Sequence, residues 1–196
     1  MGMQLHELHP SLIHLPLGLL PMAAGVDLAA ALSGNDALDR TGRMLWGAGT
    51  IGGLLAGVAG LAATQEVKVT DKHVSDAMLL HGVGNTVITL GAIALTSWRR
   101  RHAPSVASAI VGLGAVGAAL FTAYLGGELV YARGVGVKRM TAAQGEGVVD
   151  NTDLFSRQAP RKFLRDVAGG LGWALRESKK YLTGQERFDR RALTIG

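Results

Sequence analysis

The chain of 196 residues contains no cysteine. That excludes disulfides, thiolate ligation, cysteine-held iron–sulfur clusters and covalent c-type haem. A metal centre here would have to use His, Met, Asp, Glu or Tyr. The motifs of common soluble enzymes are missing too: no phosphate-binding loop, no dinucleotide fingerprint after a strand, no GxSxG and no HExxH. No Lys or Arg precedes the first apolar run, which carries Glu7, His9 and Pro10 where a basic n-region belongs. That run is therefore expected to be retained rather than cleaved, although Ala29-Ala30-Ala31 resembles a cleavage site. Nothing besides charge suggests nucleic-acid binding, and none is expected.

What is present is apolar and rich in small residues. Hydrophobic residues make up 48%, glycines number 28, and mean hydropathy is +0.24. Four stretches exceed the ~20 residues that cover a hydrocarbon core: about 12–32, 44–64, 77–98 and 105–131. None alternates with period 2, and only helices or closed barrels cross lipid, so all four read as helices. The short connections (33–43, 65–76 and 99–104) make sequential neighbours antiparallel. The expected fold is all-α: an integral membrane four-helix up-down bundle over residues 1–140, followed by a basic tail over 141–196. Gly49, Gly53 and Gly57 in the second span, and Ser108, Gly112, Gly114 and Gly117 in the fourth, suit close helix packing. Pro21 should kink the first helix. Trp46, Trp98 and Tyr131 fall at expected helix ends, as interface aromatics do.

Ten of the 20 Lys and Arg lie beyond Met140. Gly145–Asp153 reads as a polar loop. From 161 to 182, Leu164, Ala168, Leu171, Leu175 and Leu182 recur at helical spacing among Arg165, Arg176, Lys179 and Lys180. This pattern is expected to form an amphipathic helix at the membrane surface, weakened by Gly169, Gly170 and Gly172. Its basic face suits anionic lipid headgroups or an acidic partner protein. Charges near the helix ends balance between the two sides of the membrane. The basic tail then favours a multi-pass protein with both termini on the cytoplasmic side.

The histidines are the chemical feature. His6, His9, His14, His73 and His81 lie in or just before the first and third spans, which enter from the same face. Counting depth from Ser11 and from Ser75 or Ala77 puts His14 and His81 each about one turn inside. Two facing imidazoles can hold both axial positions of a haem iron. Gly18 and Gly84 would clear space for the porphyrin, and Asn85 would orient His81 or meet a propionate. His9 and His73 form a shallower pair; with Glu128 they offer ligands for zinc, copper or non-haem iron, or steps in a proton relay. Asp27, deep in the first span, should reach the interface or pair with Arg40 or Arg43. His102 reads as a solvated loop residue.

The stretch His9-Pro10-Ser11-Leu12-Ile13-His14-Leu15-Pro16-Leu17-Gly18-Leu19 resembles the opening signature of DUF2231, an uncharacterised bacterial four-helix membrane family. Gly126-Gly127-Glu128-Leu129-Val130-Tyr131-Ala132-Arg133-Gly134-Val135-Gly136-Val137 resembles its closing signature, and His81 opens the third helix as a histidine does in that family. The resemblance spans about Leu8 to Val137 and implies a compact inner-membrane domain. Some relatives stand beside Rieske-type or other redox proteins, so it also implies a place near electron transfer. The expected function is a b-type cytochrome-like electron-transfer subunit with one or two haem b groups. Its partners would be another redox protein or membrane-complex subunit, and a quinone. The alternatives are a non-haem metal protein and a structural subunit of a larger redox complex. Catalysis by the chain itself is less expected than either.

Overall fold

The computed structural model describes residues 3–136, 147–148, 152–189 and 192. A short 3-10 turn, Leu5–Glu7, leads into α1 (Leu8–Leu12) and α2 (His14–Ser33); α3 (Asp36–Glu66), β1 (Val67–Lys68), α4 (Lys72–Arg99), α5 (Val106–Tyr131), β2 (Gly147–Val148) and α6 (Ala159–Leu182) follow. Four helical segments are long and apolar enough to cross a membrane: Leu5–Ser33, Asp36–Glu66, Lys72–Arg99 and Val106–Tyr131. The protein is an all-α, multi-pass membrane protein. In lipid every backbone amide must be satisfied internally, and helices of this length achieve that within each segment.

The helices are longer than hydropathy alone suggests, because polar residues outside the apolar runs cap and extend them. Between α2 and α3 only Gly34 and Asn35 remain outside a helix, not the whole of 33–43. Gly34 adopts φ 67°, and its amide donates to the Ala30 carbonyl at 2.8 Å. That is the left-handed C-terminal stop that glycine favours. Asn35 Oδ1 then accepts from the amides of Ala37 (2.8 Å) and Leu38 (3.3 Å), and Asp36 and Asp39 sit in the first turn, where the helix dipole favours anions. Asp71 caps α4 through the His73 amide at 2.8 Å. Ser105 and Ser108 cap α5 reciprocally, each hydroxyl accepting from the other's amide.

The chain forms two compact units, and α3, α4 and α5 each contribute a stretch to both. The Trp46 unit comprises 12–56 and 84–122. Leu20, Ala23 and Ala24 of α2, Trp46 of α3 and Ala92 of α4 form its core, with Leu95 of α4 and Val116 of α5 packed against them. It is a four-helix bundle in its own right. Small residues set its spacing: a Cβ at Gly49 would meet Leu20 at 2.6 Å, one at Gly52 Leu15 at 2.8 Å, and one at Gly112 Trp46 at 3.0 Å. Gly57, Gly114 and Gly117, expected at such contacts, have nothing within 4 Å of that position. Trp46 is no interface anchor. It is 2% exposed in the core, whereas Trp98 and Tyr131 are exposed near helix ends.

The His81 unit comprises 1–11, 57–83 and 123–196. Val74 and Ala77 of α4, Leu129 of α5 and Ala192 form its core, with Phe188 and Val135 beside them. Residues expected in a loop form a strand here: Gly147–Val148 pairs antiparallel with Val67–Lys68. The remainder of the stretch from 137 to 151 lies outside the described residues. Near the N-terminus, Gln4 bridges Asp153, and the Leu154 amide donates to the Met3 carbonyl at 2.8 Å. The helix expected over 161–182 is α6. Gly170, expected to weaken it, is where it packs: a Cβ there would overlap the Leu61 carbonyl of α3.

Candidate functional site

The Trp46 unit buries a charge network. Arg99 is wholly buried and Asp27 is 2% exposed. Arg99 Nε donates to Asp27 Oδ2 at 2.7 Å and Nη2 to Asp27 Oδ1 at 2.9 Å. Nη2 also reaches Asp39 Oδ1 at 2.6 Å, and Nη1 donates to the His102 carbonyl. Trp46 Nε1 donates to Asp27 Oδ2 at 2.8 Å. A Cβ at Gly42 would overlap the Asp27 carboxylate, so glycine at that position admits the cluster. The expected partners of Asp27 were Arg40 and Arg43; its partner is Arg99, and Arg43 pairs instead with Asp39 at 3.1 Å. The planar guanidinium satisfies both carboxylate oxygens at once, which a buried carboxylate requires. By hydropathy alone Arg99 opens the 99–104 connection. The signal that would have found it is the demand of a deep carboxylate for a cation on another helix. This network locks helices together and offers no open position for chemistry.

The His81 unit holds the imidazoles. His9 of α1 and His81 of α4 lie with ring centroids 6.1 Å apart and planes at 85°. Each ring sits over a glycine of another helix. A Cβ at Gly60 of α3 would come within 3.0 Å of His9 Nδ1, and one at Gly126 of α5 within 2.7 Å of His81 Cε1. Glycine is thus required by close approach at both positions. The two signature stretches therefore converge: His9 belongs to the first, Gly126 to the second, and His81 joins them. In the second, Gly134 and Gly136 adopt φ of 67° and 79°, turning the chain out of α5.

The other expected site residues are placed as follows. His14 heads α2 in the Trp46 unit, with an exposed side chain. Gly18 faces open space, while Gly84 accommodates Thr122, whose methyl would lie 2.7 Å from an added Cβ. Asn85 Oδ1 accepts from Thr122 Oγ1 at 3.1 Å. His73 is half-buried, and its Nδ1 makes no hydrogen bond among the described residues. Glu128 accepts from Tyr124, one turn earlier on α5. His102 is exposed and stacks on Trp98, with centroids 4.7 Å apart.

A second polar cluster joins α6 to the ends of α3 and α4. Glu66, wholly buried, lies 3.7 Å from His6 Nδ1 and 2.5 Å from Lys162 Nζ, and Lys162 also contacts Asp166. Burial works against the Lys162 ammonium, but its bonds to Asp166 and Glu66 prevail and hold its pKa above the ordinary lysine value. The Tyr181 hydroxyl donates to Asp76 and accepts from Lys72 Nζ at 2.9 Å. Burial and the Asp76 carboxylate push the Tyr181 pKa up. Glu186 bonds Lys72 (3.1 Å) and Lys180 (3.3 Å), which hold its carboxyl below the ordinary glutamate value. None of these tail contacts was foreseen; only the basic composition hinted at acidic partners.

Among the described residues no group of three or more His, Asp or Glu side chains is gathered to hold a metal ion. The arrangement offers a two-imidazole centre and, in the same unit, a separate buried carboxylate–lysine pair. No curated protein and no solved structure matches the chain. The family model described as "Predicted membrane protein (DUF2231)" matches residues 5–139, more than half of the chain, and the chain belongs to that family.

Proposed function

We propose that the domain is a membrane-embedded electron-transfer subunit holding a b-type haem between its first and third spanning helices, with His9 and His81 as axial ligands. The spacing of the two rings carries this reading. Imidazoles bound to one ion at about 2.0–2.1 Å place their centroids roughly 6 Å apart, and the observed separation is 6.1 Å. Two protein ligands suffice for a haem iron, whose other positions the porphyrin fills, whereas structural zinc calls for four. When bound, the haem would supply reversible one-electron transfer at its iron. Gly60 and Gly126 seat the two rings and fix their orientation, as supporting residues do around metal ligands. The electron partners would be a second redox protein or complex subunit and a quinone, at a bacterial inner membrane with both termini on the cytoplasmic side.

The reading differs from the sequence-based expectation in one ligand, His9 instead of His14. A reduced-minus-oxidised visible spectrum of the purified protein, with haem and metal content on the same sample, tests it. A stoichiometric b-type spectrum lost in His9→Ala and in His81→Ala, and kept in His14→Ala, supports the assignment. Loss in His14→Ala with retention in His9→Ala returns the axial role to His14. A colourless protein from haem-sufficient cells, or one carrying stoichiometric zinc or copper, overturns the haem.

A further inference from the structure

Helix α6 keeps one polar face against the protein: Lys162 bonds Glu66, and Tyr181 bonds Lys72 and Asp76. Its leucines point out. Leu164 is 68% exposed, Leu171 50%, Leu175 63% and Leu182 87%. At about 100° per residue these four and Ala168 fall within an arc of roughly 60°. The exposed cations Arg161, Arg165, Arg176 and Lys179 occupy a neighbouring arc of similar width on one side of that stripe. A helix facing water turns its leucines inward and its charges outward. The outward leucines call for an apolar medium beside them, and the adjoining cations suit an anionic one.

We propose that the Leu164–Leu182 stripe of α6 lies in the interfacial layer of a bilayer, its leucines at the acyl boundary and Arg161, Arg165, Arg176 and Lys179 on anionic phospholipid headgroups. Two observations select lipid over a protein partner. The cations flank the stripe on one side only, which matches a layered medium of headgroups over acyl chains. The opposite face of α6 is anchored to the ends of α3 and α4, two helices of membrane-spanning length and composition, so the bilayer is within reach of the stripe. Helix α6 would then be a fixed interfacial element that reads the anionic lipid content of the membrane holding it.

The absence of cysteine makes the test clean. Single-cysteine variants Leu171→Cys, Leu175→Cys and, as an exposed control, Gln185→Cys of the full chain are reconstituted into phosphatidylcholine bilayers with or without phosphatidylglycerol. The readouts are labelling by a membrane-impermeant maleimide and quenching of an attached bimane by chain-brominated lipid. The expected result is labelling of Leu171→Cys and Leu175→Cys about tenfold slower than of Gln185→Cys, with quenching only at the two stripe positions. Quenching should deepen with phosphatidylglycerol, and the combined Arg161→Gln, Arg165→Gln and Arg176→Gln changes should remove that increment. Aqueous labelling at the control rate without quenching overturns the proposal. So does protection accompanied by Leu175→Cys cross-linking between copies, which would assign the stripe to a second copy of the chain. Quenching indifferent to phosphatidylglycerol overturns the headgroup assignment.

Discussion

The two units handle buried polarity in opposite ways. In the Trp46 unit one guanidinium gathers two carboxylates, an indole donates to one of them, and the surrounding interior is leucine, alanine and glycine. In the His81 unit the polar groups are spread over the Leu5–Glu7 turn, α1, α3, α4 and α6: His6, His9, His81, Glu66, Lys162 and Tyr181. The first arrangement is suited to fixing helix register, since its charges are spent on one another. The second is suited to chemistry, since imidazoles are common metal ligands. Function is therefore sought in the His81 unit and rigidity in the Trp46 unit.

Arg99→Ala should break this contrast most severely. It leaves buried Asp27 without its cation, and Asp39 with Arg43 alone, and should cost about 3–5 kcal/mol, read as a large fall in the thermal midpoint of detergent-solubilised protein. Asp27→Leu combined with Arg99→Leu should recover most of that loss, because removing both members of a buried pair leaves no bare charge. Full loss in the double variant would show that the pair stabilises beyond its own neutralisation.

Lys162→Met is next. It strips a charged hydrogen bond from buried Glu66 and should cost about 1.5–3 kcal/mol. The loss should appear as protease cleavage around α6, with the Trp46 unit intact by hydrogen exchange. Gly126→Ala should cost about 1–3 kcal/mol by overpacking, and it should displace the His81 ring. Under the proposed function it should shift the haem spectrum or midpoint potential, a change that a purely structural glycine would not produce.

The smallest effect expected is of acid on the tail. Glu186 has a depressed pKa, so its contribution is present above the ordinary glutamate value and lost as pH falls through the lower folded value. Protease sensitivity of residues after 182 should rise below about pH 4 and be unchanged between pH 6 and 8, while Glu186→Gln should reduce the acid step, leaving the part carried by Asp76, which accepts from the Asp189 amide. Both partners are partly exposed, so salt should screen the contribution.

Much of the architecture was legible because hydropathy is a property of each residue and its near neighbours. The four spans, their helical character and the tail helix follow from runs of Leu, Ala, Gly and Val without reference to packing. The pairings were not legible. Asp27 has Arg40 and Arg43 a short distance along the chain, yet its partner lies 72 residues away, because depth and rotation of α4 about its own axis bring Arg99 to it. His14 was favoured over His9 by counting turns from Ser11. The helix instead begins before that point, so His9 already lies in helical structure and is the imidazole beside His81. Five residues, about 7.5 Å of helix at 1.5 Å per residue, separate the two readings.

The sequence by itself determined that the chain crosses a membrane with four helices, that cysteine chemistry plays no part, and that five of the six histidines fall in or before the first and third spans. Each of these depends on composition or on local runs. Tertiary structure alone decided that Trp46 is core instead of anchor, that Arg99 neutralises Asp27, that His9 meets His81 over two glycines, and that α6 turns its leucines outward. Those outcomes depend on the relative rotation and depth of helices far apart in the chain, and a hydrophobic pattern constrains neither once every face of a helix is apolar.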